Sequence, residues 1–180
     1  GMVVDVQATS VAVAKAVEAA EQTSGYDLAR ALVSVAGEHI NALNNEGTVA
    51  IDRRNNNGVT RQDIERALDM AQAIPIPHDR EIIHLIPRHF KVDNQDDVRT
   101  PIGMHGYRLE VEAHIVTASS PALQNLSKCA QTVGIRPEAM VMNALAAGEA
   151  VLEPNEREMG VIVADIGGGT TDIALYKQGT

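Results

Sequence analysis

The chain has 180 residues, 44% of them hydrophobic, and a formal net charge of −9, so it can bury a sizeable core as one domain or two small ones. That acidic balance leaves no basic patch to displace counterions from phosphates, which argues against a nucleic-acid partner and disfavours acidic partners as well. One cysteine, Cys129, excludes an internal disulfide and a cysteine metal finger and suits a reducing cytoplasm, while no apolar run approaches the ~18 residues that span a bilayer and the N-terminus lacks signal-peptide order.

Val6, Val13, Val17 and Ala20 share one face at helical spacing, and Thr23-Ser24-Gly25 ends that helix. Strands are predicted at Ala31–Ala36, Ile40–Leu43 and Thr48–Ile51, followed by a turn from Asn55 to Gly58. Thr60 caps a second helix with an apolar stripe of Ile64, Ala67, Leu68 and Ala71; Asp63 lies in its first turn, where the dipole favours it, and Pro75 ends it. Glu81–Phe90 is the next strand, and Asp93–Asp97 is a solvated loop that demands no ligand. In the strand Tyr107–Thr117, the apolar Leu109, Val111, Ala113 and Ile115 alternate with Arg108, Glu110, Glu112 and His114, the pattern of a sheet with one wet face.

Ser120 and Pro121 read as a cap and first helical residue; Leu123, Leu126, Ala130 and Val133 make the buried face of that third helix, and Gly134 closes it. A fourth, alanine-rich helix from Asn143 to Leu152 ends at Pro154. The pattern from Gly37 to Ala118, strand, helix, strand, strand, can form a compact unit, and the flanks on both sides read as pieces of a larger α/β domain. The abrupt ends suggest part of a longer protein. Gly1-Met2 reads equally as a tag scar or as native sequence.

The most informative stretch runs from Val161 to Tyr176. Val161–Ala164 and Ile173–Tyr176 have the composition of buried strands, and Gly167, Gly168 and Gly169 between them supply backbone freedom for a tight turn. With no side chains there, backbone N–H groups can approach an anion, and the hydroxyls of Thr170 and Thr171 add donors. Asp165 and Asp172 would repel a bare phosphate, but fit a Mg²⁺ ion held through water between them and the phosphate oxygens. A ligand-free glycine hairpin is the bland alternative; the flanking aspartates and paired threonines favour the phosphate site.

His78, His84, His89, His105 and His114 lack the spacing of a metal site, with no helical i, i+4 pair and no cysteine among them. His84 and Phe90 share strand parity, and His89 takes the other face. Cys129, beside the buried face of the third helix, reads as a packed thiol rather than a nucleophile. No Ser, His and Asp arrangement suggests a triad.

The Val161–Tyr176 string resembles the second phosphate loop of the actin-like ATPase superfamily. With Ser34-Val-Ala-Gly-Glu-His-Ile40, His84-Leu-Ile-Pro87, Pro101-Ile-Gly-Met104 followed by Gly106, and His114-Ile-Val-Thr117, nearly the whole chain is similar to the FtsA family of bacterial cell-division proteins. The resemblance implies an α/β chain: a partial actin-like ATPase domain with an inserted strand-helix-strand-strand domain of SHS2 type, called 1C. On that mapping residues 1–36 and 119–153 belong to domain 1A, residues 37–118 are 1C, and residues 154–180 open domain 2A with the second phosphate loop.

The resemblance further implies ATP and Mg²⁺ as cofactors, with Asp165, Gly167, Gly168, Gly169, Thr170, Thr171 and Asp172 at the phosphates. It implies a polymer on the inner face of the cell membrane at the division septum that tethers the tubulin-like FtsZ. FtsZ binding maps to a domain 2B and membrane binding to a C-terminal helix, neither in this chain, whereas 1C serves self-association and contacts with later division proteins. The superfamily's water-orienting Glu or Gln falls at Asn143, which can hold a water but cannot act as a base, so rapid hydrolysis is not expected; a helix cap is the simpler role for it. Glu149, two turns in, is not expected to reach a nucleotide. Lacking the first phosphate loop and the adenine pocket, these residues alone should bind ATP weakly or not at all. The pilus-assembly protein PilM is a second candidate relative, and a sugar or acetate kinase fragment a third.

Overall fold

The computed structural model describes residues 2–52 and 57–179; Gly1 and the first half of the Asn55–Gly58 turn lie outside the described residues. The elements in chain order are α1 Val6–Ser24, β1 Arg30–Val35, β2 Ile40–Ala50, α2 Arg61–Gln72, β3 Arg80–Val92, β4 Gln95–Val98, β5 Arg108–Ser119, α3 Ser120–Thr132, β6 Arg136–Met142, α4 Asn143–Val151, α5 Pro154–Met159, β7 Val161–Ile166 and β8 Thr171–Tyr176. They divide into two compact units, one of Gly1–Ile40, Asp79–Ile83 and Ala118–Thr180, the other of Asn41–His78 and His84–Thr117.

The second unit is a four-stranded sheet in the order β2-β5-β3-β4 with α2 on one face. Thr60 starts α2 through a capping box: its side chain accepts from the Asp63 amide while Asp63 accepts from the Thr60 amide at 2.8 Å. The helix stripe then buries Ala67 and Ala71, flanked by Ile64 and Leu68, against Leu109, Val111, Ala113, Phe90 and Val92. Alternation on β5 is as the pattern predicts, with the odd positions Leu109 to Ile115 buried and the even ones partly exposed.

Two expectations for this unit need correction. Ile40–Leu43 and Thr48–Ile51 are one continuous strand, because Asn44 and Asn45, poor strand formers by propensity, are held by tertiary partners. Asn44 bonds Glu112 at 2.8 Å, and Asn45 donates to the Ala71 carbonyl at 2.7 Å. The stretch 93–97 is a two-residue turn leading into β4, with Val92 paired to Gln95. Asp93, at φ 52, makes that turn and accepts from the amides of Tyr107 and Arg108 at 2.9 Å. On β3 Phe90 joins the core and His89 takes the other face, reaching Glu112 at 3.1 Å, as the parity of the two predicts, while Leu85 also packs against the core.

In the first unit β1 and β6 form a parallel pair in which Ser34 opposes Val141 and Val35 opposes Met142. Strand β6 was not expected from the sequence. Its bulge, which skips Glu138, falls beside Pro137, where a residue without an N–H is tolerated. Helix α1 ends at Gly25 in the left-handed conformation, φ 75, and packs on α3. Cys129 on α3 is fully buried, its thiol 3.6 Å from the Val6 carbonyl. The cap of α3 is Ser119 rather than Ser120, with Pro121 in the first turn. Leu123, Val35 and Ala118 centre a small core with Ile40, Ile83, Leu126 and Met140 around it.

Candidate functional site

Helix α4 follows directly on β6 and lies against β1, β6 and both strands of the β7–β8 hairpin. It comes this close because residue 148 is glycine: a Cβ there would sit 2.1 Å from the Tyr176 hydroxyl. Pro154, expected only to end α4, is also the first residue of a new helix, α5, with Glu153 and Glu156 as its capping box. From α5, Arg157 donates to the Gly148 carbonyl at 3.0 Å, pairs with Glu149 at 2.6 Å and stacks 5.3 Å from the Tyr176 ring centroid. Glu149 is therefore a surface partner of Arg157, whose hydrogen bond holds its carboxyl below the usual range.

The hairpin strands extend further toward the turn than the composition suggested, pairing Asp165 directly with Asp172 and Ile166 with Thr171. Only Gly167, Gly168, Gly169 and Thr170 remain in the loop, closed by a 2.9 Å hydrogen bond from the Gly167 amide to the Thr170 carbonyl. Asp165 and Asp172 project on the face shared with Val163, Ala174 and Tyr176, the side on which α4 packs. Ile162, Ile166, Ile173 and Leu175 make the opposite face, and all four are exposed.

One of the two expected reasons for the three glycines, freedom of backbone angle, does not hold. None of Gly167, Gly168 and Gly169 has a left-handed φ; the glycine the backbone requires in this region is Gly160, at φ 93, just before β7. A Cβ at Gly168 or Gly169 would meet nothing within 4 Å. The hairpin's own geometry and packing therefore leave both positions open to side chains. Their lack of side chains instead keeps the loop backbone accessible from outside.

Asp165 and Asp172 are like charges placed directly cross-strand, an arrangement that is destabilising when uncompensated. Among the described residues no ion pair reaches either carboxylate, and no three His, Cys, Asp or Glu side chains converge anywhere as a metal cluster. Two facing, half-buried carboxylates beside an exposed glycine loop fit a hydrated divalent cation, which would neutralise them without replacing all its waters.

Asn143 does not cap α4: Met142 holds the cap position and no side chain bonds the first turn. Its amide nitrogen donates instead to Asp165 Oδ2, and its oxygen accepts from Ser34 Oγ at 2.7 Å. Sequence reading gave Ser34 no role, and with partners 109 and 22 residues away no local signal could have assigned these bonds.

Residues 37–117 match the family model of the SHS2 domain inserted in FtsA. The chain is 42% identical over 179 residues to the cell division protein FtsA of Pseudomonas aeruginosa, 37% to that of Bacillus subtilis and 30% to that of Escherichia coli. In each alignment 99% of this chain is covered, but only 42%, 40% and 42% of the respective relative. Among solved structures, a chain of the PilM–PilN type IV pilus biogenesis complex superposes with a TM-score of 0.59 at 16% identity, covering 97% of this chain and 46% of that one. No helix among the described residues is long and apolar enough to cross a membrane. The chain is thus similar to FtsA along its whole length, a mixed α/β chain in which residues 37–117 match the inserted SHS2 domain and which shares its fold with the chain of the PilM–PilN complex.

Proposed function

We propose that the β7–β8 hairpin loop binds the phosphates of ATP together with Mg²⁺, as the second phosphate loop of an FtsA-type cell-division protein. The observation that carries this reading is the pair Gly168 and Gly169, two exposed positions where the fold itself leaves room for a side chain. Keeping such positions bare is useful to a loop whose backbone must come within hydrogen-bond distance of a ligand. Thr170 and Thr171 would add hydroxyl donors, and Asp165 and Asp172 would hold the waters of the cation. Bound Mg²⁺ would supply charge neutralisation at the phosphates.

On this reading residues 1–36 and 119–153 are parts of domain 1A, residues 37–118 are domain 1C and residues 154–180 begin domain 2A. The whole protein then polymerises at the inner membrane face at the division site and tethers FtsZ through regions outside this chain. Domain 1C serves self-association and later division proteins, its wet sheet face and strand edges being the surfaces open to a partner. Likeness to the PilM–PilN structure supports a second reading, a pilus-assembly role; at 16% identity, against 42% to the FtsA of P. aeruginosa, it ranks below the first.

Titration calorimetry on the complete protein tests the nucleotide reading. ATP should bind in the presence of Mg²⁺, and chelation with EDTA should weaken that binding. Residues 1–180 alone should bind weakly or not at all. Micromolar affinity for this shorter chain, or binding indifferent to EDTA in the complete one, would contradict the proposal.

A further inference from the structure

Three elements far apart in sequence, β1, α4 and β7, meet through one hydrogen-bond chain. Ser34 Oγ donates to Asn143 Oδ1 at 2.7 Å, and Asn143 Nδ2 donates to Asp165 Oδ2. The direction of the chain is fixed by chemistry. An ionised carboxylate only accepts, so Asn143 must turn its nitrogen toward Asp165, which leaves its oxygen to face a donor, and Ser34 is that donor. Among the described residues nothing else bonds the Asn143 amide, and Asp165 Oδ1 has no partner.

We propose that Ser34 and Asn143 are positioning residues for Asp165. They hold one carboxylate oxygen so that the other is presented to a hydrated divalent cation. This rests on the nucleotide reading above and makes a claim that reading does not: the residue at the start of α4 acts on the carboxylate, not on an attacking water. Both polar atoms of the Asn143 amide already have protein partners, its nitrogen donating to Asp165 and its oxygen accepting from Ser34 with one of its two lone pairs. Partners that orient a metal-side carboxylate typically change metal affinity 10–100-fold when removed.

The test is a Mg²⁺ titration of ATP binding to the complete protein and its Ser34→Ala, Asn143→Ala and Asn143→Asp variants. Ser34 is exposed, so removing its hydroxyl leaves the fold in place. Ser34→Ala and Asn143→Ala should each raise the Mg²⁺ concentration for half-maximal binding about tenfold, and the double variant should be no worse than Asn143→Ala, because the two act in one chain. Asn143→Asp should be worse than Asn143→Ala, since a carboxylate cannot donate to Asp165; Ser34→Thr should restore wild-type behaviour. In the ligand-free protein, the Asn143 side-chain amide resonances should shift on Ser34→Ala. Wild-type binding with a Mg²⁺ midpoint unmoved in both alanine variants overturns the positioning role and leaves the nucleotide reading intact. Asn143→Asp binding as wild type while hydrolysing faster does the same, assigning the residue to water. No ATP binding by the wild type removes both.

Discussion

Gly47 and Ala67 meet backbone to backbone: a Cβ added at Gly47 would lie 1.9 Å from the Ala67 carbonyl oxygen and 2.6 Å from the Ala71 amide nitrogen. Helix α2 rests on β2 at this point, and no rotamer change can make room, since every atom in the way belongs to the helix main chain. Gly47→Ala should cost about 3 kcal/mol or more, the upper range for overpacking, read as a lowered urea midpoint for the sheet unit. A loss within about 0.5 kcal/mol, as for an ordinary surface change, would mean that α2 is not seated there.

Gly148 differs in kind, because the obstacle is a side chain. Gly148→Ala should destabilise by about 1–2 kcal/mol as Tyr176 is pushed from under Arg157, and the cost should be strongly non-additive with Tyr176→Leu, which removes the ring. Additive losses in that double-mutant cycle would show that the two positions do not touch.

Asp63 ties stability to pH. Burial alone would raise its carboxyl, but the Thr60 hydroxyl and amide and the Arg66 guanidinium outweigh burial and hold it below the usual range. The folded value being the lower one, the unfolded chain takes up the proton first as pH falls. The contribution is therefore complete above about pH 5 and lost as pH drops through the lowered folded value. Asp63→Asn should lose about 1 kcal/mol at pH 7, the scale of a helix cap, and flatten the acid limb of the stability profile. An unchanged acid limb would contradict the assignment.

What could be read from the sequence was mainly what local chemistry determines. The caps at Thr60 and Gly25, the stripe of α2 and the alternation of β5 each follow from neighbours a few residues away. Strand β6 was missed because Glu138, Ala139, Met140 and Met142 are helix formers by propensity, and their strand pairing comes from β1, over 100 residues earlier in the chain. Short, charged β4 was hidden by its edge position, where acidic residues are tolerated. At the hairpin, the strand–turn–strand pattern was legible, but the left-handed backbone angles expected of its glycines were not found, since φ depends on backbone geometry that composition does not report. The link from Ser34 through Asn143 to Asp165 exists only in three dimensions.

The most direct test of the central claim is Gly168→Val in the complete protein, with thermal unfolding and Mg·ATP calorimetry on the same sample. With nothing within 4 Å of the added Cβ, stability should stay within about 0.5 kcal/mol of wild type, while a branched side chain on the loop blocks the approach of a phosphate to the backbone. The expected result is an unchanged melting temperature with ATP affinity reduced by about 100-fold or more, on the order of the loss of two charge-assisted hydrogen bonds. Wild-type affinity in a normally folded Gly168→Val protein would contradict the assignment of this loop to phosphate.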